Sequence, residues 1–169
     1  KLHLESAAIR LRAPGIGKGH QDYAQSLYNL AILYEDMGQY EKAEPLYLEA
    51  LTIRSQVPAI GKEHPAYARN LNGLAGLYLQ TGNYEKAEPL YLEAKEIRSR
   101  SAAIGKEHPD YGESLHNLAL LYETMGNYEK AKLLYLEAKA IDEKTLGKEH
   151  PSYGHSLLSL GHLYFQTGD

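Results

Sequence analysis

Leu74-Ala75-Gly76-Leu77-Tyr78, then Gly82-Asn83, then Tyr84-Glu85-Lys86-Ala87-Glu88-Pro89-Leu90-Tyr91-Leu92-Glu93-Ala94 is the stretch that decides the fold. Ahead of the glycine, Tyr67, Leu71, Leu74 and Tyr78 step by four, three and four. That is the apolar stripe of an amphipathic helix, not the alternation of a strand. Gly82 is placed to end the helix in a left-handed conformation, and Asn83 to cap the next one. Beyond it, Ala87, Leu90, Tyr91, Ala94 and Ile97 form a second stripe. Two helices and a short turn make a helical hairpin.

The hairpin recurs along the chain. Gly61-Lys62-Glu63-His64-Pro65 returns at Gly105 and Gly147, with a degenerate copy at Gly17, so the period is 44, 44 and then 42 residues. First-helix stripes repeat as Tyr23, Leu27, Leu30, Tyr34, as Tyr111, Leu115, Leu118, Tyr122, and as Tyr153, Leu157, Leu160, Tyr164, ending at Gly38, Gly126 and Gly168. Second-helix stripes repeat as Ala43, Leu46, Tyr47, Ala50, Ile53 and as Ala131, Leu134, Tyr135, Ala138, Ile141. Ala31, Ala75, Ala119 and Gly161 are expected to face Ala43, Ala87 and Ala131, letting helix axes approach toward the short end of about 8–10 Å. Pro45 and Pro89 should bend the first turn of their helices, and Leu133 stands in their place in the third hairpin. One hairpin cannot cover its own apolar face, so it must stack on a neighbour.

These motifs resemble the tetratricopeptide repeat, whose usual unit is 34 residues. The longer period, with a loop ending in Gly-Lys-Glu-His-Pro, is similar to the kinesin light chain type. The resemblance implies an all-α fold, a right-handed α-solenoid of stacked antiparallel hairpins with eight helices. It parses into a second helix at 1–12, repeats at 21–60, 65–104 and 109–146, and a first helix at 151–169. The chain reads as a piece of a longer array whose uncapped ends would associate end to end.

In this family first helices line the inner, concave wall where protein or peptide partners bind. By register that wall is Gln25, Tyr28, Asn29, Ile32, Glu35 and Asp36, then Arg69, Asn72, Gly73, Gly76, Leu79 and Gln80. It continues as Glu113, His116, Asn117, Leu120, Glu123 and Thr124, then His155, Leu158, Ser159, His162, Phe165 and Gln166. Asn29 and Asn117 stand out, because an amide can pair with a peptide backbone as both donor and acceptor. The kinesin light chain groove is cationic and takes acidic peptides. Here Glu35, Asp36, Glu113 and Glu123 outnumber Arg69, so the expected partner is neutral or basic rather than strongly acidic. Gly73 and Gly76 leave a strip without side chains, open either to a bulky partner group or to no role.

Composition narrows the remaining classes. The formal net charge of −4 argues against nucleic acid. No apolar run nears the roughly 18 residues that span a bilayer. With no cysteine there is no disulfide and no thiolate ligand, which fits the cytoplasm. His20, His64, His108 and His150 recur once per hairpin, too far apart for one ion. They read as helix mouths, each followed, except at His20, by proline as the first helical residue. His155 and His162, with His116, are candidates for a pH-sensitive patch, set against chance placement. Pro14-Gly15-Ile16-Gly17-Lys18-Gly19 lacks phosphate-loop spacing. The Glu-Lys pairs of the second helices read as outer-face charges, and no cleft or raised carboxylate pKa is expected. No cofactor, metal or catalytic constellation emerges. The leading function is a protein- or peptide-binding scaffold, and the alternative is a spacer or self-assembly module of a larger protein.

Overall fold

The computed structural model describes residues 21–56, 63–101 and 105–168. They form seven helices: α1 (Gln21–Asp36), α2 (Tyr40–Gln56), α3 (Pro65–Gln80), α4 (Tyr84–Arg100), α5 (Pro109–Thr124), α6 (Tyr128–Thr145) and α7 (Pro151–Thr167). The eighth helix expected at 1–12 lies outside the described residues. No described helix is long and apolar enough to cross a membrane. The chain divides into two compact units, 1–90 and 91–169, with the boundary inside α4.

In the first unit α1 packs on α2, and α2 on α3. Ala24, Leu27, Ala50 and Ile53 are buried together, with Tyr23 and Leu46 against them. The second unit repeats this with α5 on α6 and α6 on α7. There Tyr111, Leu115 and Ala138 are buried, with Leu134 and Ile141 against them. The two clusters occupy the same register, so one hairpin core is built twice. Ala31, Ala43, Ala119 and Ala131 have no exposed surface, as close crossing requires. Gly161, expected at the same kind of position, is exposed with open space around it. No second helix covers that side of α7 among the described residues, and Leu157 is 44% exposed for the same reason.

The turns follow from the glycines. Gly38, Gly82 and Gly126 sit at φ 68°, 74° and 75°, where a side chain would be strained. The next residue's N–H closes back on the stripe tyrosine, as Gln39 to the Tyr34 carbonyl at 2.8 Å and Asn127 to that of Tyr122 at 2.7 Å. This six-to-one bond satisfies the orphan carbonyls of the helix end. Asn127 occupies the cap position of α6, but its side chain makes no capping bond. With ψ at 67° its backbone is not in the extended conformation that aims a cap oxygen at the first turn.

Histidine does that work at the starts of α3, α5 and α7. Nδ1 of His64, His108 and His150 accepts the N–H of Ala66, Asp110 and Ser152 at 3.1, 3.1 and 3.2 Å, with proline next in each helix. Pro45 and Pro89 lie inside α2 and α4, which continue through them. Each Lys of the Tyr-Glu-Lys-Ala motif lies over the tyrosine eight residues back: Lys42 on Tyr34, Lys86 on Tyr78 and Lys130 on Tyr122, at 5.5, 4.9 and 4.7 Å. These lysines are therefore more than solvated outer charges. Tyr78 also donates to Glu44 at 2.6 Å, and burial, with Glu44 beside it, pushes its pKa up to about 12.

Replacing His108 by Ala should lower stability by about 0.5–2 kcal/mol, while His108→Asn should retain most of it. Urea denaturation of the three proteins decides this, and equal midpoints would remove the cap from the account.

Candidate functional site

Two buried cations each tie a second helix to the helix that follows it. Arg54 on α2 is 1% exposed. Its Nη1 donates to the Ala66 carbonyl and, at 3.1 Å, to Asn70 Oδ1, both on α3, while Nη2 donates to Gln25 Oε1 on α1 at 2.8 Å. Arg98 repeats the tie to the Asp110 carbonyl, to Ser114 Oγ at 3.0 Å and to Glu113 Oε2 at 3.1 Å. The same register in α6 holds Asp142, 7% exposed, which accepts from Ser156 Oγ on α7 at 3.0 Å. The periodicity argument assigned these positions nothing. The break Ile53-Arg54, Ile97-Arg98, Ile141-Asp142 is the signal that marks them.

In the first unit the predicted wall is largely engaged with itself. Gln25 Nε2 donates to Asn29 Oδ1 at 2.9 Å, and Asn29 is exposed. Glu35 is half-buried and accepts from the Tyr47 hydroxyl at 2.7 Å and from Gln80 Nε2 at 2.5 Å. Burial raises the Glu35 pKa and neighbouring Asp36 adds to it, against the pull of both hydrogen bonds. This corrects the expectation of no raised carboxylate, yet both oxygens are already used. Tyr47 is raised by burial and then by Glu35, so its hydroxyl stays a donor. Ile32, Gly76 and Leu79 are partly buried, Arg69 is exposed and Asn72 is 7% exposed. The strip at Gly73 is not open. A Cβ there would lie 2.8 Å from Tyr47 Cε1 and 3.0 Å from Tyr28 Cε2, two rings in edge contact at 5.6 Å. The chain's own tyrosines fill the space expected for a partner.

In the second unit the predicted positions converge. Between α5 and α7 lie two adjoining cavities. One of about 300 Å³ is lined by Glu113, His116, Asn117 and His155, with Asp142, Ser152 and Ser156. One of about 510 Å³ is lined by Leu120, Glu123, Thr124, His155, Leu158, Ser159, His162 and Gln166, with Tyr128 and Tyr135. His155 borders both. Phe165 lines neither and is 87% exposed.

The histidines divide their roles. His116 and His155 stack at 4.4 Å between centroids, and Tyr135 meets His116 edge-on at 5.0 Å. His162 leaves that pair and sets Nδ1 2.8 Å from Glu123 Oε1, while the Tyr135 hydroxyl donates to Glu123 Oε2 at 2.8 Å. Gln166 Nε2 lies 3.2 Å from His162 Nε2. One neutral tautomer, with the proton on Nδ1, satisfies both contacts. Burial pushes His116 down to about 4; His155 lowers it further and Glu123 opposes. Among the described residues no group of three or more His, Asp or Glu could hold a metal ion.

The tetratricopeptide repeat family model matches residues 2–56, 22–100 and 71–144. The chain belongs to the tetratricopeptide repeat family, whose members generally serve as protein-interaction scaffolds. Among solved structures it is similar to BtubC (BKLC) from P. vanneervenii, with 25% identity and a TM-score of 0.81, over 99% of this chain and 65% of that one. The chain thus spans just under two thirds of that relative. It is also similar to the nearly identical TPR-like repeats of a Podosopora anserina protein assigned as a kinesin light chain, at 29% identity and TM-score 0.74, over 98% and 76% of the two chains. The apo form of RapI shares the fold, at 21% identity and TM-score 0.74 over 96% and 54%. No curated protein matches the chain. The all-α, kinesin light chain-like solenoid class is therefore established.

Gly73→Ala should cost about 1–3 kcal/mol, because the tyrosines must shift. Gly154→Ala, whose Cβ would meet nothing within 4 Å, should gain up to about 1 kcal/mol of helix propensity. Urea midpoints that moved together would contradict this packing. The depressed folded-state value of His116 contributes stability above its unfolded pKa of about 6.5, lost as pH falls toward about 4. Between pH 7 and 5 wild type should lose on the order of 1 kcal/mol more than His116→Gln, read from thermal midpoints at each pH. Parallel midpoints for the two proteins would show that the ring is not held neutral by its site.

Proposed function

We propose that this chain is a peptide-binding scaffold without catalytic activity, and that the trough between α5 and α7 is its seat. The observation that carries the reading is the convergence of Glu113, His116, Asn117, Leu120, Glu123, His155, Leu158 and His162 on two adjoining cavities. The unit-one wall, with Gln25, Glu35 and Gly73 engaged internally, is the lesser contributor.

The trough favours an extended, uncharged or basic segment. Glu113 is paired with Arg98, and Glu123 is occupied by Tyr135 and His162. What faces outward is amide, imidazole, hydroxyl and leucine. Asn117, which lines the trough, would pair with a peptide backbone through its amide. Leu120 and Leu158, 42% and 74% exposed, offer an apolar seat for a side chain. A strongly acidic segment would meet Glu113, Asp142 and Glu123 with no free cation among the lining residues. The cytoplasm is the setting that a chain without cysteine fits.

A second reading, self-association, draws on α7, where Leu157, Leu158 and Phe165 are 44%, 74% and 87% exposed. Peptides selected from a random display library should bind the chain in fluorescence polarisation, and Asn117→Ala with Leu158→Ser should weaken them at least tenfold. Failure to select any peptide, with a molecular mass in light scattering that rises with concentration, would favour self-association instead.

A further inference from the structure

Three hairpins place one polar residue at the same point on the second helix, and two of the three place a cation. Arg54 and Arg98 each bring a guanidinium to acceptors on the following helix: a carbonyl in its first turn, Ala66 or Asp110, and a side chain one turn on, Asn70 or Ser114. In the third hairpin the register supplies the same acceptors, the Ser152 carbonyl and Ser156 Oγ, but no cation. Glu113 stands where Gln25 accepts from Arg54. Asp142 adds a carboxylate that is 7% exposed, and among the described residues no cation pairs with it. Its Oδ2 accepts from Ser156, while Oδ1 lies toward Gly112, 3.5 Å from where a Cβ would sit. At this point, where α2 and α4 carry an arginine, the structure has a pocket of about 300 Å³.

We propose that this pocket takes a guanidinium group from outside, the side chain of an arginine in the bound peptide. The inference rests on the peptide-binding reading and names the residue that the peptide must present. A buried carboxylate without a counter-charge is costly, and a planar fork can satisfy it bidentately while its remaining donors reach the carbonyl and hydroxyl. A lysine ammonium is a point charge with a different reach and satisfies fewer of these acceptors at once. The bound arginine would complete the arrangement that the other two hairpins complete internally.

The test uses the full chain and three neutral-backbone probes: the Nα-acetyl methylamides of arginine, lysine and citrulline. Amide chemical shifts at Gly112, Asp142 and Ser156 should saturate with the arginine probe, at least fivefold more weakly with lysine, and not with citrulline. Asp142→Asn should weaken the arginine probe at least tenfold. Asp142→Arg, which installs the cation of the other hairpins, should abolish binding and raise the unfolding midpoint. Equal binding of the arginine and citrulline probes to wild type would overturn the proposal, whatever the variants do. So would unchanged probe binding by Asp142→Arg. Peptides selected against the trough should lose at least tenfold when one arginine becomes citrulline. Selected peptides indifferent to that change would refute this inference and leave the trough intact. A saturable arginine probe with no selectable peptide would keep the guanidinium pocket and overturn its assignment to a peptide.

Discussion

The complete burial of small residues on the paired helices of each hairpin is the constraint from which the rest follows. Ala31 with Ala43, and Ala119 with Ala131, are fully buried, so there is room between paired axes for little else. The bulk needed to exclude water moves to the flanks, where tyrosine supplies it. A buried tyrosine brings a hydroxyl that needs an acceptor. Tyr47 finds Glu35, and Tyr135 finds Glu123. Two of the acidic residues that look like surface charge are therefore acceptors required by the core.

That dependence changes how the wall's charge acts. Counted on sequence, Glu35, Asp36, Glu113 and Glu123 make an acidic surface. In the structure three of the four are engaged: Glu35 by a tyrosine and a glutamine, Glu123 by a tyrosine and a histidine, and Glu113 by a guanidinium. A carboxylate holding its hydrogen bonds has less to offer a ligand than one facing water, and its desolvation cost is already met. Asp142, absent from any sequence-based list, lies deeper than Glu113 and borders a cavity in which, among the described residues, no cation pairs with it.

The fold was legible because periodicity reports burial directly. Tyr67, Leu71, Leu74 and Tyr78 are all buried, as their spacing implies, and the His-Pro starts and glycine ends mark the helix limits. The grouping of α5 and α7 positions about one trough in the second unit was legible from register alone. The wall was not legible at Gly73, because a helix wheel shows a missing side chain but not the reach of Tyr28 and Tyr47 into the gap. Nor was it at Arg54 and Arg98. An arginine beside an isoleucine on a charged helix reads as solvated, and its main acceptor, a carbonyl of the next helix, carries no residue identity.

A repeat protein supplies its own controls, and this decides where function is to be sought. What recurs from hairpin to hairpin among the described residues, such as the tyrosine stripe, the lysine over it and the histidine cap, is explained by folding alone. A departure that folding does not need has to be explained otherwise. Arg54 and Arg98 each satisfy a buried carbonyl, and replacing such a residue by aspartate both removes the donor and buries a like charge among acceptors. Neither change helps the hairpin. The loop that follows Asp142 is also two residues shorter than the loops after Arg54 and Arg98, yet it delivers Ser152 and Ser156 to the same register. A buried aspartate beside an open cavity, with the acceptor geometry intact, is the arrangement that a cationic group from outside would complete.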